Sequence, residues 1–129
     1  MRLIKKKIPR KFLVGYKKKI ILKDCGQVHL NNNEQLTFLK NRSEFDVVKK
    51  NWGYYATPSV NKRLKNFNFR TFITQNFSKS IYIMIVHKEK IKEFKEYLRH
   101  DDMIVLQEIR LGFLEFRLFL IALDICLSS

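Results

Sequence analysis

The sequence predicts a small α+β fold: a small antiparallel sheet of two hairpins with two to three helices, flanked by a basic N-terminal arm and an apolar C-terminal segment. Three observations predict it. Residues 69–75 and 80–87 are rich in β-branched and aromatic side chains and stand either side of a short polar linker, 76–79, which reads as a hairpin. Residues 88–102 place Ile91, Phe94, Tyr97 and Leu98 on one stripe with Lys and Glu on the other faces, which reads as an amphipathic helix. Residues 36–39 and 45–49 form a second pair of short strands around Asn41, Arg42 and Ser43.

Taken from the N-terminus, residues 1–23 read as a strongly basic arm, and Pro9 and Gly15 interrupt any amphipathic helix there. Gly26 and Asn31 to Asn33 mark a turn-rich lead into the domain, which then carries the 36–49 hairpin. Pro58 pushes the residue before it to extended geometry and Ser59 is a good N-cap, so 60–67 is expected to run as two helical turns with Val60, Leu64 and Phe67 on one face. Residues 81–86 are apolar on both faces and are expected to be a central, covered strand. The tail, 103–127, reads as a helix in which Arg110, Arg117 and Asp124 line up at heptad spacing, although 114–118 also alternates as a strand would. The expected organisation is therefore an arm (1–23), an α+β domain (24–100) and a docking segment (101–129).

Charge narrows the partner. The chain of 129 residues carries a net +14, an extreme value that argues for a polyanion. Residues 1–23 hold ten Lys and Arg and no acid, leaving only +4 for the remainder. AT-rich coding inflates lysine everywhere, but it does not strip every acid from one segment. Interspersed Ile, Phe and Tyr could stack on bases or wedge against protein. A membrane surface would need an uninterrupted amphipathic helix, so a membrane partner is not expected. The tail is no membrane span either, since Glu108, Arg110, Glu115, Arg117 and Asp124 interrupt it. It carries more apolar surface than so small a domain can hide, which calls for a protein neighbour.

No catalytic pattern stands out. Four scattered glycines offer no phosphate-binding loop. Asp24, Cys25 and His29 lie close together, but a structural zinc needs four ligands and no second Cys/His pair completes the set. His87 and His100 lack a nucleophile or orienting carboxylate at motif spacing. No cofactor and no enzymatic activity are expected. Cys25 and Cys126 give no disulfide framework, which suits a reducing compartment. No sustained apolar run precedes Lys17, so a secretory signal is not expected.

The stretch 51–67, NWGYYATPSVNKRLKNF, combines aromatics with cations. Trp52 is expected to plug the open end of a sheet; Trp52, Tyr54 and Tyr55 as a stacking platform is the alternative. Lys62, Arg63 and Lys65 project from the short helix and are secondary phosphate contacts. The principal ones are expected on the arm: Arg2, Lys5, Lys6, Lys7, Arg10, Lys11, Lys17, Lys18 and Lys19.

Residues 22–98, through the core WGYYATPSVNKRL, resemble a group of small bacterial proteins that share a Trp-Gly-aromatic-Tyr-Ala-Thr-Pro-Ser…Arg-Leu motif and tend to accompany surface-polysaccharide genes. The resemblance implies no activity, and the arm and tail lie outside it. The residues point first to a non-catalytic component of a ribonucleoprotein, a mitochondrial or bacterial ribosomal protein whose arm contacts rRNA and whose tail docks on neighbouring proteins. Its expected location is then the mitochondrial matrix or the bacterial cytoplasm. The alternative is a soluble accessory protein of surface-polysaccharide assembly with an aromatic pocket for a ligand or partner.

Overall fold

The computed structural model describes residues 1–110 and 124–128, which form a small α+β fold with antiparallel strands in three small sheets. The first sheet is a two-stranded ribbon of β1 (Arg2–Val14) and β2 (Ile20–His29). The second orders β3 (Gln35–Lys40), β4 (Ser43–Lys50) and β5 (Gly53–Ala56) as a meander. After α1 (Arg63–Asn66), the third sheet places β6 (Phe69–Gln75) between β7 (Ile81–His87) and β8 (Ile104–Ile109). A 3-10 turn (Lys88–Lys90) leads into α2 (Ile91–His100), between β7 and β8.

The expected arm is therefore half of a hairpin. Pro9, which interrupts a helix there, sits in a bulge: Lys5 pairs with Gly26 and Arg10 with Asp24, so residues 6–9 stand opposite Cys25 alone. A proline there removes no ladder hydrogen bond. Gly26 is correspondingly not a turn residue. A Cβ on it would lie 2.4 Å from the Ile4 carbonyl oxygen, so the two backbones meet only because it has none. Gly15 opens the 15–19 turn at φ +105°, where its missing Cβ is needed for the conformation itself. The expected domain boundary at 23/24 falls inside β2, and residues beyond 100 supply β8 to the third sheet.

Three further expectations change. Residues 81–86 are an edge strand, with Ile81 and Ile83 exposed on one face; the strand covered on both sides is β6, where Thr71, Phe72 and Thr74 are all buried. The helix expected over 60–67 contracts to the single turn α1. Ser59 still serves its start, its carbonyl accepting from the Lys62 and Leu64 N–H groups and its hydroxyl oxygen from the Arg63 N–H at 3.4 Å. Of the tail read as one helix, 104–109 is strand and 124–128 is helical, while 111–123, with Arg117, lie outside the described residues. The 36–49 hairpin, the 69–75 and 81–87 strands and the α2 stripe stand as expected, with Asn41 taking φ 55° in the tight turn.

The core is modest and centres on the third sheet. Even-numbered β6 positions face α2, where the Phe72 and Phe94 rings lie 5.0 Å apart and Val86 and Leu98 are buried. The opposite face, with Phe69 and Thr71, looks toward Leu64 of α1. The second sheet is tied in through polar groups. Asp46 accepts from the Thr57 hydroxyl at 3.0 Å and from Arg63 at 2.7 Å, and the Ser43 hydroxyl donates to the Phe67 carbonyl at 3.0 Å.

Candidate nucleic-acid interface

The ribbon divides the expected phosphate contacts into two groups. Lys6 and Arg10 both turn back onto Asp24 across the bulge, which they close electrostatically. Hydrogen bonding from Lys6, then from Arg10 and the Gly26 N–H, holds the Asp24 carboxyl below its ordinary value. Lys17 is committed elsewhere. Its backbone N–H donates to the His100 carbonyl at 2.8 Å and its ammonium reaches Asp102 and the Arg99 carbonyl. Beside it, the Tyr16 N–H donates to Asp101 Oδ1 at 2.9 Å and the Tyr16 ring lies 4.6 Å from Phe77. The hairpin tip thus clamps the C-terminal end of α2, where a cation favours the helix dipole. Lys19 donates to the Gly15 carbonyl within the turn.

Arg2, Lys5, Lys7, Lys11 and Lys18 are exposed and make no ion pair among the described residues. Lys18 shares a shallow cleft with Glu93 and Glu96, which lowers its local potential. Lys23 joins the group, placed there by the strand register rather than by any local pattern. It is paired directly with Lys11, and the two lysines share a face of the ribbon with exposed Leu13 and Ile21. Like charges opposite one another across a strand pair are unfavourable unless an anion relieves them. Val14, Ile20 and Leu22, on the other face, turn toward Tyr82, Met84 and Tyr97, so the lysine face is the outer one.

On α1 the expected trio also separates. Lys62 and Lys65 are exposed and unpaired among the described residues, but Arg63 is not available to phosphate, being bound to Asp46 with Glu44 at 3.6 Å. Lys65 borders a cleft of about 620 Å³ that also presents Arg70, Lys88 and Arg110. Arg70, on β6, and Arg110, just beyond β8, both grip Glu108, Arg70 through two bonds of 2.6 Å. Nothing in the local sequence marks this triad; it is made by pairing β6 with β8. Arg70, followed by Arg110, pulls the Glu108 pKa from 4.5 down to about 2.

A folded-state pKa below the unfolded one stabilises above the unfolded value and loses that contribution as pH falls through the folded one. The Glu108 contribution is expected to be complete above about pH 5 and to fade toward pH 2, by about 2 kcal/mol after allowance for its partial exposure. Urea denaturation across that range should show Glu108→Gln with a shallower acid slope than the parent chain. Equal slopes would mean the triad does not bear on stability.

The aromatic stretch overturns the expected plug. Trp52 is 68% exposed, Tyr54 63% and Tyr55 41%, because all three lie at or beside the β4–β5 turn, beyond the core. Trp52 and Tyr55 stack on each other, with centroids 6.0 Å apart and planes 22° apart, and the Lys49 ammonium lies 5.4 Å from the Tyr54 ring centre.

Cys25 is exposed, its thiol toward the Lys23 carbonyl, and His29 is paired with Arg2 at the far end of the ribbon. His87 packs edge-on against Phe69, and His100 uses its carbonyl to hold Lys17. Among the described residues no three His, Cys, Asp or Glu side chains converge as a metal site would require, and no helix is long and apolar enough to cross a membrane. No protein-family model matches the chain, and neither does any curated protein or solved structure.

Proposed function

We propose that this chain is a non-catalytic RNA-binding component of a ribonucleoprotein of ribosomal type, mitochondrial or bacterial, with the β1–β2 ribbon as its phosphate-contacting element. The observation that carries this reading is the ribbon's run of unneutralised cations: on its outer face Lys11 and Lys23 oppose each other without an acid between them and Arg2, opposite His29, shares that face, while Lys5 and Lys7 are further exposed, unpaired cations of the same strand. An extended cationic edge of this kind follows a phosphate backbone, and each contact releases counterions. Lys62 and Lys65 are secondary contacts. The apolar run after Arg110 is the segment for a neighbouring protein in the assembly.

Removing residues 1–23 would not test this, because it would take β1 out of the ribbon. The combined substitution of Lys5, Lys7, Lys11 and Lys23 by alanine leaves the Asp24 and Asp102 ion pairs in place. It should reduce the slope of log affinity for single-stranded RNA against log salt by roughly 3, at about 0.7 per lost contact. A folded variant with the parent slope would overturn the assignment.

A further inference from the structure

We infer that the β4–β5 hairpin is a stacking platform for an unpaired nucleobase, so that the RNA crossing this chain is single-stranded where it meets Trp52 and Tyr55. This rests on the RNA reading above and specifies the kind of RNA. The Trp52 indole stands two-thirds in water, outside the core, and it does not stand alone. Its ring pairs with Tyr55 at 6.0 Å in a near-parallel stack, which presents an extended aromatic face. Gly53 takes φ +143° in the turn, and a Cβ built on it meets no described residue within 4 Å.

The surroundings favour a nucleic acid over a neutral ligand. Lys50, opposite Gly53, stands on the hairpin face that carries Tyr55, and Lys49 lies beside Tyr54 on the other, so each face of the hairpin carries a cation. The 31–34 loop joins the platform to the ribbon. The Lys49 N–H donates to the Glu34 carbonyl at 3.0 Å, and Glu34 Oε1 accepts from the Met1 amino nitrogen at 2.8 Å, directly before Arg2. The 31–34 loop therefore ties the hairpin that bears the rings to the Arg2 end of the ribbon, and the Glu34 carboxylate at that junction is already occupied. Bases splayed from a backbone held on lysines stack on such a face whatever their identity, whereas bases within a duplex cannot reach it. A sugar platform would want free carboxylates and amides around the rings to fix the hydroxyls, and here the Asn32 and Asn33 amide oxygens already accept from Lys49 and Lys50.

Trp52 is the chain's single tryptophan, so its fluorescence reports on this site alone. The full chain is titrated with an unstructured oligouridine, a duplex RNA of similar length and a neutral oligosaccharide, following both fluorescence and RNA anisotropy. Oligouridine should quench Trp52. Trp52→Ala, shown folded by circular dichroism, should bind oligouridine about tenfold more weakly with an unchanged salt slope, and Trp52→Phe should recover most of the affinity. Binding without quenching, and at parent affinity in Trp52→Ala, would end the stacking idea and leave the RNA reading intact. Equal quenching by the duplex would overturn the single-strand assignment. Quenching by the oligosaccharide with no RNA binding would overturn both readings in favour of a carbohydrate site.

Discussion

Arg63→Ala is expected to destabilise the fold by about 3–4 kcal/mol, although Arg63 itself is half-exposed. The cost arises at its partner. Asp46 is fully buried in β4, and its carboxyl is held below the ordinary value by the Thr37 hydroxyl facing it across the strands, by Thr57 and by Arg63. Without the guanidinium, a buried charge loses its counter-ion and the second sheet loses its tie to α1. Asp46→Asn should cost less, about 1–2 kcal/mol, because the amide keeps a bond from Thr57 and the released Arg63 can turn to water. Urea denaturation of the two variants checks the order. If Asp46→Asn proves the costlier, the stranded-charge explanation is wrong. Folded Arg63→Ala should retain the parent salt slope for RNA, in contrast to variants of Lys5, Lys7, Lys11 and Lys23.

Gly26→Ala is the second large effect, expected at about 3 kcal/mol and felt first in the ribbon. The added methyl would meet a backbone oxygen at 2.4 Å, and a carbonyl in a strand cannot swing aside as a flexible side chain could. Either β1 and β2 part beside the bulge, or the register slips and Lys11 loses its place opposite Lys23. In both cases RNA affinity should fall together with hydrogen-exchange protection of residues 2–5 and 26–29. A variant with parent protection in those strands would show that the close approach is not needed. Gly53→Ala lacks any such clash, so its effect should come from the positive φ alone and be smaller, about 1 kcal/mol.

The parts of the fold written in local pattern were legible. Residues 69–75, 81–87 and the Ile91, Phe94, Leu98 stripe declare themselves by composition and period, and the structure has them in place. The parts that failed depend on a partner distant in sequence. The strand in 1–14 looks like a disrupted basic tail until residues 20–29 lie beside it and absorb Pro9 into a bulge. Edge and centre within the third sheet were exchanged because β8 comes from a tail whose leucines and arginines also fit a helix. For the site, lysine content revealed the ribbon but not which cations are already spent: Lys6, Arg10, Lys17 and Arg63 each answer to an acid that only tertiary structure brings near. Trp52 reads as a plug because a lone tryptophan is more often packed than displayed. The exposed pair it forms with Tyr55 depends on a turn that points away from the core.

The strand order has a kinetic consequence. Among the described residues every pairing but one joins strands that are neighbours in the chain: β1 with β2, β3 with β4, β4 with β5, β6 with β7. Such local contacts close small loops and should form quickly and independently as the chain leaves the ribosome that makes it. The exception is β6 with β8, which must wait for residues 104–109 to emerge. Until then Arg70 has no Glu108, β6 has a bare edge, and the third sheet is a two-stranded hairpin with little reason to persist. The third sheet should therefore be the last of the three to close, because the β6–β7 hairpin gains its third strand only after α2 and residues 104–109 have been made.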